Sequence, residues 1–234
     1  MQTALITGGS KGFGLALATS LVKDGWSVVI DGRDRAVLDA AVRRLQAESR
    51  GQVVRGIAGD IADPAHRAGL VDAVAVLGRL DLLANNASTL GPSPQPRLAD
   101  YPLHEFERVL AVNVIAPLAL IQAVLPLLRA RNGAVVDITS DAGVEGYAGW
   151  GGYGSSKAAL EQLSNVLAAE ETDVRVYWFD PGDMRTDMHQ AAFPGEDISD
   201  RPLPETVVPA FRRLLVNAPP SGRFRAADLQ QATP

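Results

Sequence analysis

The sequence predicts a single-domain α/β protein in which a doubly wound, mostly parallel sheet carries helices on both faces. Short apolar runs rich in β-branched residues alternate with segments of helical periodicity, and the runs cover residues 3–7, 26–31, 52–58, 80–85, 133–139 and 174–180. Strands that are apolar throughout and separated by helices are typical of a parallel sheet covered on both faces. Right-handed crossovers then place ligand sites at the carboxyl ends of the strands.

The bulk composition is that of a soluble globular protein. The chain has 234 residues, of which 47% are hydrophobic and 21% are charged, so it can bury a sizeable core. A net charge of −5 gives no global attraction to nucleic acid or to an anionic membrane. The absence of cysteine excludes disulfides, thiolate metal sites and a cysteine nucleophile.

No linker-like composition divides the chain, so we expect one domain spanning residues 1–234. The start of the chain lacks the long apolar run of a signal peptide. The apolar run Val114–Leu128 is too short to cross a bilayer and contains two prolines and a glutamine. These features predict a soluble, cytoplasmic protein. The segment 183–209 mixes charges and prolines after a strand end, which favours a binding loop or lid over a plain surface excursion.

A glycine-rich turn, "TGGSKGFG" at residues 7–14, follows the first strand and opens the first helix. Glycines there permit a tight turn and close approach of the backbone to a pyrophosphate, which binds at the helix N-terminus. The position between a strand and a helix favours the dinucleotide-binding turn of a Rossmann fold over ordinary turn chemistry. The expected cofactor contacts in this turn are Gly8, Ser10, Lys11, Gly12, Phe13 and Gly14.

The segment "DGRDR", residues 31–35, follows the second strand and carries both signs of charge. A carboxylate at the strand tip would bind the adenosine ribose and select NAD, whereas an arginine would pair with a 2′-phosphate and select NADP. The residues alone leave this choice open. Lys11 adds a second cation near the same phosphate. For Asp34 and Arg35 we favour a simpler interpretation, the solvated start of a helix.

Ser140, Tyr153 and Lys157 are the candidates for proton transfer. Ser140 ends the fifth strand, and the four-residue spacing puts Tyr153 and Lys157 on one face of a helix. Tyrosine ionises with a pKa of about 10, and we expect the nearby ammonium to lower that value. Ser140 would donate a hydrogen bond to a substrate oxygen. A Tyr-x-x-x-Lys spacing is frequent by chance, but Ser140 and the glycine turn favour a catalytic role.

Seven motifs in order resemble the short-chain dehydrogenase/reductase family in its single-domain branch. They are "TGGSKGFG", "GDI" (59–61), "NNAS" (85–88), "VNV" (112–114), "ITS" (138–140), "YGSSK" (153–157) and "DPGDMRT" (180–186). The resemblance implies a nicotinamide-dependent oxidoreductase that acts on a small carbonyl or alcohol substrate. It makes Tyr153 the acid/base, lets Lys157 reach the cofactor ribose, and assigns Asn113 to a lysine-linked water that relays the proton.

The resemblance also implies the cofactor contacts outside the glycine turn. Family members that use NAD place an aspartate at the position of Gly32, and those that use NADP often place an arginine at that of Arg33. We therefore favour NADP(H), with NAD(H) as the alternative. The remaining contacts implied are Asp60 and Ile61 at the adenine, Asn86 and Ala87 near the ribose, Tyr153 and Lys157, and Pro181, Gly182 and Thr186 at the nicotinamide.

Two positions depart from the family pattern. Ser88 stands where the family has the glycine of N-N-A-G, and the segment 221–234 lacks the usual long, glycine-ended last strand. The second departure puts the family's common tetramer contact in doubt. A homodimer or homotetramer is still expected, because the helices that contain 114–128 and follow Tyr153 are apolar over a broad arc. Coverage of these helices by the segment 183–209 is the alternative.

Three histidines and a tryptophan leave further alternatives. His66, His104 and His189 lack metal-ligand spacing, so we expect no metal site and interpret them as surface or packing residues. His189 could instead face the substrate, and Trp150 could form a pocket wall or pack in the core.

Two other classes of protein share these motifs. A catalytically silent NADP-sensing protein would be expected to lose catalytic groups, and all four are present. A sugar-nucleotide epimerase or dehydratase needs a larger C-terminal domain than the residues after Thr186 supply.

Overall fold

A seven-stranded, fully parallel sheet forms the centre of the fold in a computed structural model that describes residues 1–231. The strand order is β3-β2-β1-β4-β5-β6-β7. The strands are β1 (Thr3–Ile6), β2 (Ser27–Gly32), β3 (Val54–Ala58), β4 (Leu82–Asn85), β5 (Ala134–Ile138), β6 (Arg175–Asp180) and β7 (Gly222–Arg225). The order reverses between β1 and β4, which opens a crevice at the carboxyl ends of the strands. The final three residues of the predicted domain lie outside the described residues.

Helices cover both faces of the sheet and confirm the doubly wound prediction. One face carries α1 (Gly12–Lys23) and α2 (Arg35–Glu48). The other carries α3 (Pro64–Leu77), and α4 (Leu103–Leu110), which continues through a π-helical turn (Ala111–Ile115) into α5 (Ala116–Arg129). The remaining helices are α6 (Gly151–Glu170), α7 (Asp187–Ala192), α8 (Pro204–Asn217) and α9 (Ala226–Gln231). The C-terminal half of α6 packs with α3 and α5, whereas α8 packs with α1 and α2.

Local sequence explains where the helices flanking β3 begin and end. Asp34 caps α2 by accepting a hydrogen bond from the Val37 amide at 3.1 Å, which confirms its interpretation as a helix start. Asp63 caps α3 by accepting from the Ala65 amide at 2.9 Å. The left-handed Gly78 (φ 67°) ends α3.

The C-terminal third differs from the sequence-based expectation in two places. β7 was not predicted, because a four-residue strand with two arginines has no apolar run. It pairs with β6 and forms the edge of the sheet. Residues 204–209 are helical rather than part of a loop, because Val207 and Val208 are buried in the core. The irregular segment that adjoins the cleft therefore ends before Pro204.

The helical run Leu103–Arg129 is longer than the apolar stretch considered above. At 27 residues it is long and apolar enough to cross a membrane by length and composition alone. In the fold, Leu120, Val124 and Leu128 are fully buried and pack with α3 against the sheet. The run is thus accounted for as a core helix.

Candidate active site

One cleft of about 1510 Å³ follows the carboxyl ends of the strands from the glycine turn to α6. It brings together all of the predicted site residues except Gly14 and Asn113. Gly14 lies against the turn itself, where a Cβ would come within 2.5 Å of the Gly8 carbonyl oxygen. Asn113 lies behind the wall of the cleft and is 1% exposed.

The glycine turn is held from both sides by hydrogen bonds. The Gly8 amide donates to Asp31 Oδ1 at 2.5 Å. Asn86 Nδ2 donates to the carbonyl oxygens of Thr7 and Gly8 at 2.9 and 3.2 Å. Gly8 itself is left-handed (φ 64°), a conformation that favours glycine. Asn86 therefore has a structural contact with the turn as well as a place in the cleft.

The first turn of α1 offers a place for a phosphate. No side chain caps the helix at Lys11, and no acidic residue lies in its first turn. Free amide groups at a helix N-terminus bind anions. Lys11 Nζ pairs with Asp187 at 2.6 Å in the first turn of α7. The lysine thus links the glycine turn to the irregular segment beyond β6.

The end of β2 separates the two candidate charges. Asp31 is 2% exposed, and its second oxygen lies 2.9 Å from His66 Nε2, so the fold engages this carboxylate. A Cβ at Gly32 would lie 2.6 Å from Ser10 Oγ, so an aspartate there would require the Ser10 side chain to shift. Arg33 is exposed and lines the cleft. The exposed Arg33 in the cleft fits a 2′-phosphate. His66 pairs with Asp31, and this long-range contact has no local sequence signal.

Asp60 and Ile61 line the cleft at the end of β3. Asp60 Oδ1 accepts a hydrogen bond from the Ala62 amide at 3.0 Å, and its other oxygen is paired with Arg108. Burial raises the pKa of Asp60, but the Ala62 amide and Arg108 outweigh it and hold the pKa below its usual value. The carboxylate is therefore ionised and available as an acceptor at neutral pH.

Ser140 and Asn113 stand in separate hydrogen-bond networks. Ser140 Oγ donates to Asp141 Oδ1 at 2.9 Å just after β5. Asn113, in the π-helical turn, donates through Nδ2 to Ser156 Oγ at 2.9 Å. The Ser88 hydroxyl donates to Asn113 Oδ1 at 3.1 Å, so the residue that departs from the family pattern contacts a member of the predicted tetrad. No glycine could make this bond.

Lys157 lies one helical turn beyond Tyr153 and is almost fully buried. Its Nζ donates to the Ile138 carbonyl oxygen at 2.7 Å and lies 5.4 Å from the centroid of the Tyr153 ring. Burial lowers the pKa of Lys157 to about 8, against the opposing pull of Asp137 and Glu161. Lysine in this position is charged only in part above neutral pH.

The pKa of Tyr153 is raised well above that of free tyrosine, contrary to the expectation of a lowered value. Burial is the main cause, and the negative charge of Asp180 adds to it. The hydroxyls of Ser140 and Ser88 oppose the shift only in part. Tyr153 is therefore a neutral phenol at physiological pH and a weaker acid than free tyrosine.

Aromatic side chains continue the cleft beyond Tyr153. The Trp150 ring lies 5.8 Å from Tyr153 and 6.0 Å from Phe193 in the segment after α7. His189 lies 4.9 Å from Phe193 and accepts a long, 3.4 Å contact from Arg201 Nε. Trp150 and His189 both line the cleft, so each packs against Phe193 and also forms part of the cleft wall.

The chain matches the family described as short chain dehydrogenase over residues 2–197. It belongs to the short-chain dehydrogenase family. It is 40% identical to the rhamnolipids biosynthesis 3-oxoacyl-[acyl-carrier-protein] reductase of Pseudomonas aeruginosa over 72% of this chain and 66% of that protein. It is 35% identical to mouse sepiapterin reductase over 80% of this chain and 76% of that protein.

Solved structures of this family superpose closely on the fold. A short chain dehydrogenase from Escherichia coli, complexed with NADPH, is 31% identical and aligns with a TM-score of 0.89 over 96% of both chains. A short chain dehydrogenase from Shigella flexneri, complexed with NADP, is 29% identical and aligns with a TM-score of 0.89 over 97% of both chains. The chain is thus an oxidoreductase of this family.

Proposed function

We propose that this protein transfers a hydride between NADP(H) and a carbonyl or alcohol substrate, as a ketone or aldehyde reductase or an alcohol dehydrogenase. The observation that carries the proposal is that Ser140, Tyr153 and Lys157 share one cleft with the glycine turn and Arg33. The reductase names of two relatives and the NADP or NADPH of two structural neighbours support it. We also propose that it acts in the cytoplasm on a small molecule.

The residues of the cleft fit the cofactor. The glycine turn and the open N-terminus of α1 would hold the pyrophosphate, and Ser10 and Arg33 would hold the 2′-phosphate. Asp60 and Ile61 would lie at the adenine, and Pro181, Gly182 and Thr186 at the nicotinamide. The bound cofactor would supply the hydride of the reduction. NAD(H) remains the alternative cofactor, although the buried Asp31 disfavours it.

In reduction, Tyr153 would donate its phenolic proton to the carbonyl oxygen. The phenol is protonated at neutral pH, as a proton donor requires, and its raised pKa makes it a weaker acid than free tyrosine. The Ser140 hydroxyl would turn from Asp141 to donate its hydrogen bond to the same oxygen and stabilise the negative charge that develops there. Lys157 would hold the cofactor ribose, and Asn113 would hold the water that resupplies the proton.

Substitution of Tyr153→Phe tests the proposal. The rate of carbonyl reduction should fall by about two to four orders of magnitude, the usual contribution of general acid–base catalysis. Binding of NADPH, measured by fluorescence titration, should change little because the ring remains. Tyr177→Phe is the matched control, since this buried tyrosine lies outside the cleft and donates only to the Pro219 carbonyl oxygen. Near-normal turnover by the Tyr153→Phe variant would overturn the assignment.

A further inference from the structure

Arg223, on the edge strand β7, reaches back to the catalytic end of the cleft. Its Nε donates to Glu161 Oε1 at 3.1 Å, and its Nη2 lies 3.1 Å from Asp180 Oδ2. The same Nη2 makes a longer, 3.4 Å contact with the Ser140 carbonyl oxygen. The side chain is 23% exposed. One guanidinium therefore joins the ends of β5 and β6 to α6.

The contact with Glu161 places Arg223 beside the helix that carries Tyr153 and Lys157. Glu161 follows Lys157 by four residues on α6, as Lys157 follows Tyr153, so all three share one helix face. The Thr139 hydroxyl, next to Ser140, donates to the same Glu161 oxygen at 2.7 Å.

The contact with Asp180 leads to the segment that would hold the nicotinamide. Asp180 ends β6, and its other oxygen accepts a hydrogen bond from the Gly182 amide at 2.9 Å. The orientation of Ser140 and the start of the 180–186 segment are thus both tied to Arg223.

Arg223 also balances the charge around the catalytic pair. Within residues 1–231 it is the only cationic side chain that forms an ion pair with Asp180 or Glu161. Tyr153 faces Asp180, Asp141 and Lys157, and Lys157 faces Asp137 and Glu161. Loss of Arg223 would therefore leave two buried or half-buried carboxylates uncompensated beside these groups.

We propose that Arg223 is a positioning residue of the active site, which fixes Ser140 and the 180–186 segment and neutralises the carboxylates that face Tyr153 and Lys157. The proposal rests on the proposed function. It predicts that Arg223→Gln lowers kcat for carbonyl reduction about tenfold to a hundredfold, the cost of small misplacements of catalytic groups. KM for NADPH should stay within about twofold, because the phosphate contacts lie at the other end of the cleft.

A readout that does not depend on turnover is the ionisation of Lys157. The sequence contains only three lysines, Lys11, Lys23 and Lys157, so ¹³C-labelled lysine gives three NMR signals. The Lys157 signal should titrate with a midpoint near a pKa of about 8 in the wild type. Arg223→Gln should raise that midpoint by about half a pH unit or more, because removal of a cation favours the ammonium form.

Arg223→Lys should restore most of the Lys157 midpoint, because the charge is kept. It should restore kcat only in part, because an ammonium group cannot reproduce the planar fork of three contacts. Arg129→Gln is the matched control. It removes another arginine ion pair, with Glu171 at 2.8 Å just past the C-terminal end of α6 and far from Tyr153, and should change neither readout.

Wild-type kcat together with a wild-type Lys157 midpoint in Arg223→Gln would overturn the proposal. So would a loss of thermal stability with both readouts unchanged, since that outcome indicates a purely structural ion pair. If the wild type reduces no carbonyl compound, the proposed function fails while the NMR titration still tests the coupling of Arg223 to Lys157. If Arg223→Gln does not fold, Arg223→Lys provides the second test: a lowered kcat with an unchanged Lys157 midpoint supports the proposal, and a wild-type kcat would overturn the positioning role.

Discussion

Asp31 and Arg33 carry opposite charges within three residues, but Asp31 is buried and Arg33 is exposed, so their roles differ. Asp31 is bonded to the Gly8 amide and to His66, whereas Arg33 is exposed in the cleft. A buried carboxylate with two partners stabilises the glycine turn and has little capacity left for a ribose. The remaining exposed cation favours a cofactor with an additional phosphate.

The proposed preference for NADPH therefore depends on Arg33. Arg33→Ala should raise KM for NADPH about tenfold to a hundredfold, the value of a charge-assisted hydrogen bond, and should leave KM for NADH nearly unchanged. Steady-state kinetics with both cofactors measure this difference. Arg35→Ala is the control, because Arg35 is exposed at the start of α2 and lies outside the cleft. A wild type that uses NADH at least as well as NADPH would contradict the prediction.

At the residue scale, the spacing of residues along the sequence predicted which side chains form the site, but it did not predict their pKa values. The four-residue spacing of Tyr153 and Lys157 and the strand-end position of Ser140 could be read directly from local sequence. The raised pKa of Tyr153 could not, because it depends on burial and on Asp180, which is distant in sequence. The pairing of Asp31 with His66 was missed for the same reason, since 35 residues separate the two.

At the scale of elements, α7 is joined to the glycine turn by an exposed ion pair. The Lys11 and Asp187 side chains are 64% and 77% exposed, so the pair adds little to stability. Its position matters more, because Lys11 belongs to the glycine turn that would hold the phosphate, and Asp187 engages the Lys11 ammonium and adds a negative charge nearby. We therefore expect the pair to oppose cofactor binding.

Asp187→Asn should lower KM for NADPH about twofold to fivefold, because Lys11 is released and a carboxylate is removed from the phosphate site. The free energy of unfolding should change by less than about 1 kcal/mol. Glu48→Gln, which removes the exposed pair with Lys23, is the control and should alter neither quantity. An increase in KM for NADPH would show that Asp187 supports binding instead of opposing it.

The elements that sequence reasoning placed correctly are those with strong apolar patterns. β1 to β6 lie within two residues of the predicted runs at each end. β7 was not predicted, because Arg223 and Arg225 make it polar. Arg223 is stabilised by carboxylates on other elements, and the local sequence gives no sign of these contacts. The start of α8 was not predicted, because Pro204 and Pro209 are typical of loops. Pro204 occupies the first helical turn, where proline is well tolerated.

At the scale of the whole molecule, the helices on one face of the sheet leave apolar side chains exposed. On the face of α3, α5 and α6, Ile115 is 56% exposed and Val166 is 44% exposed. The irregular segment after β6 does not cover them. We therefore propose that a second copy covers this face, through a symmetric pairing of α5 and α6. Ala123 on α5 and Ala158 on α6 are also exposed and small, which allows close helix contact.

Light scattering at micromolar concentration tests this association. A mass near 24.7 kDa would reject it, and twice that mass or more is expected. Val166→Arg should shift the mass to that of the monomer, because two like charges would meet across a symmetric interface without partners. Val216→Arg is the control, since Val216 is 74% exposed on α8, on the opposite face of the sheet. Dissociation by Val216→Arg with no effect of Val166→Arg would place the interface on the α8 face instead.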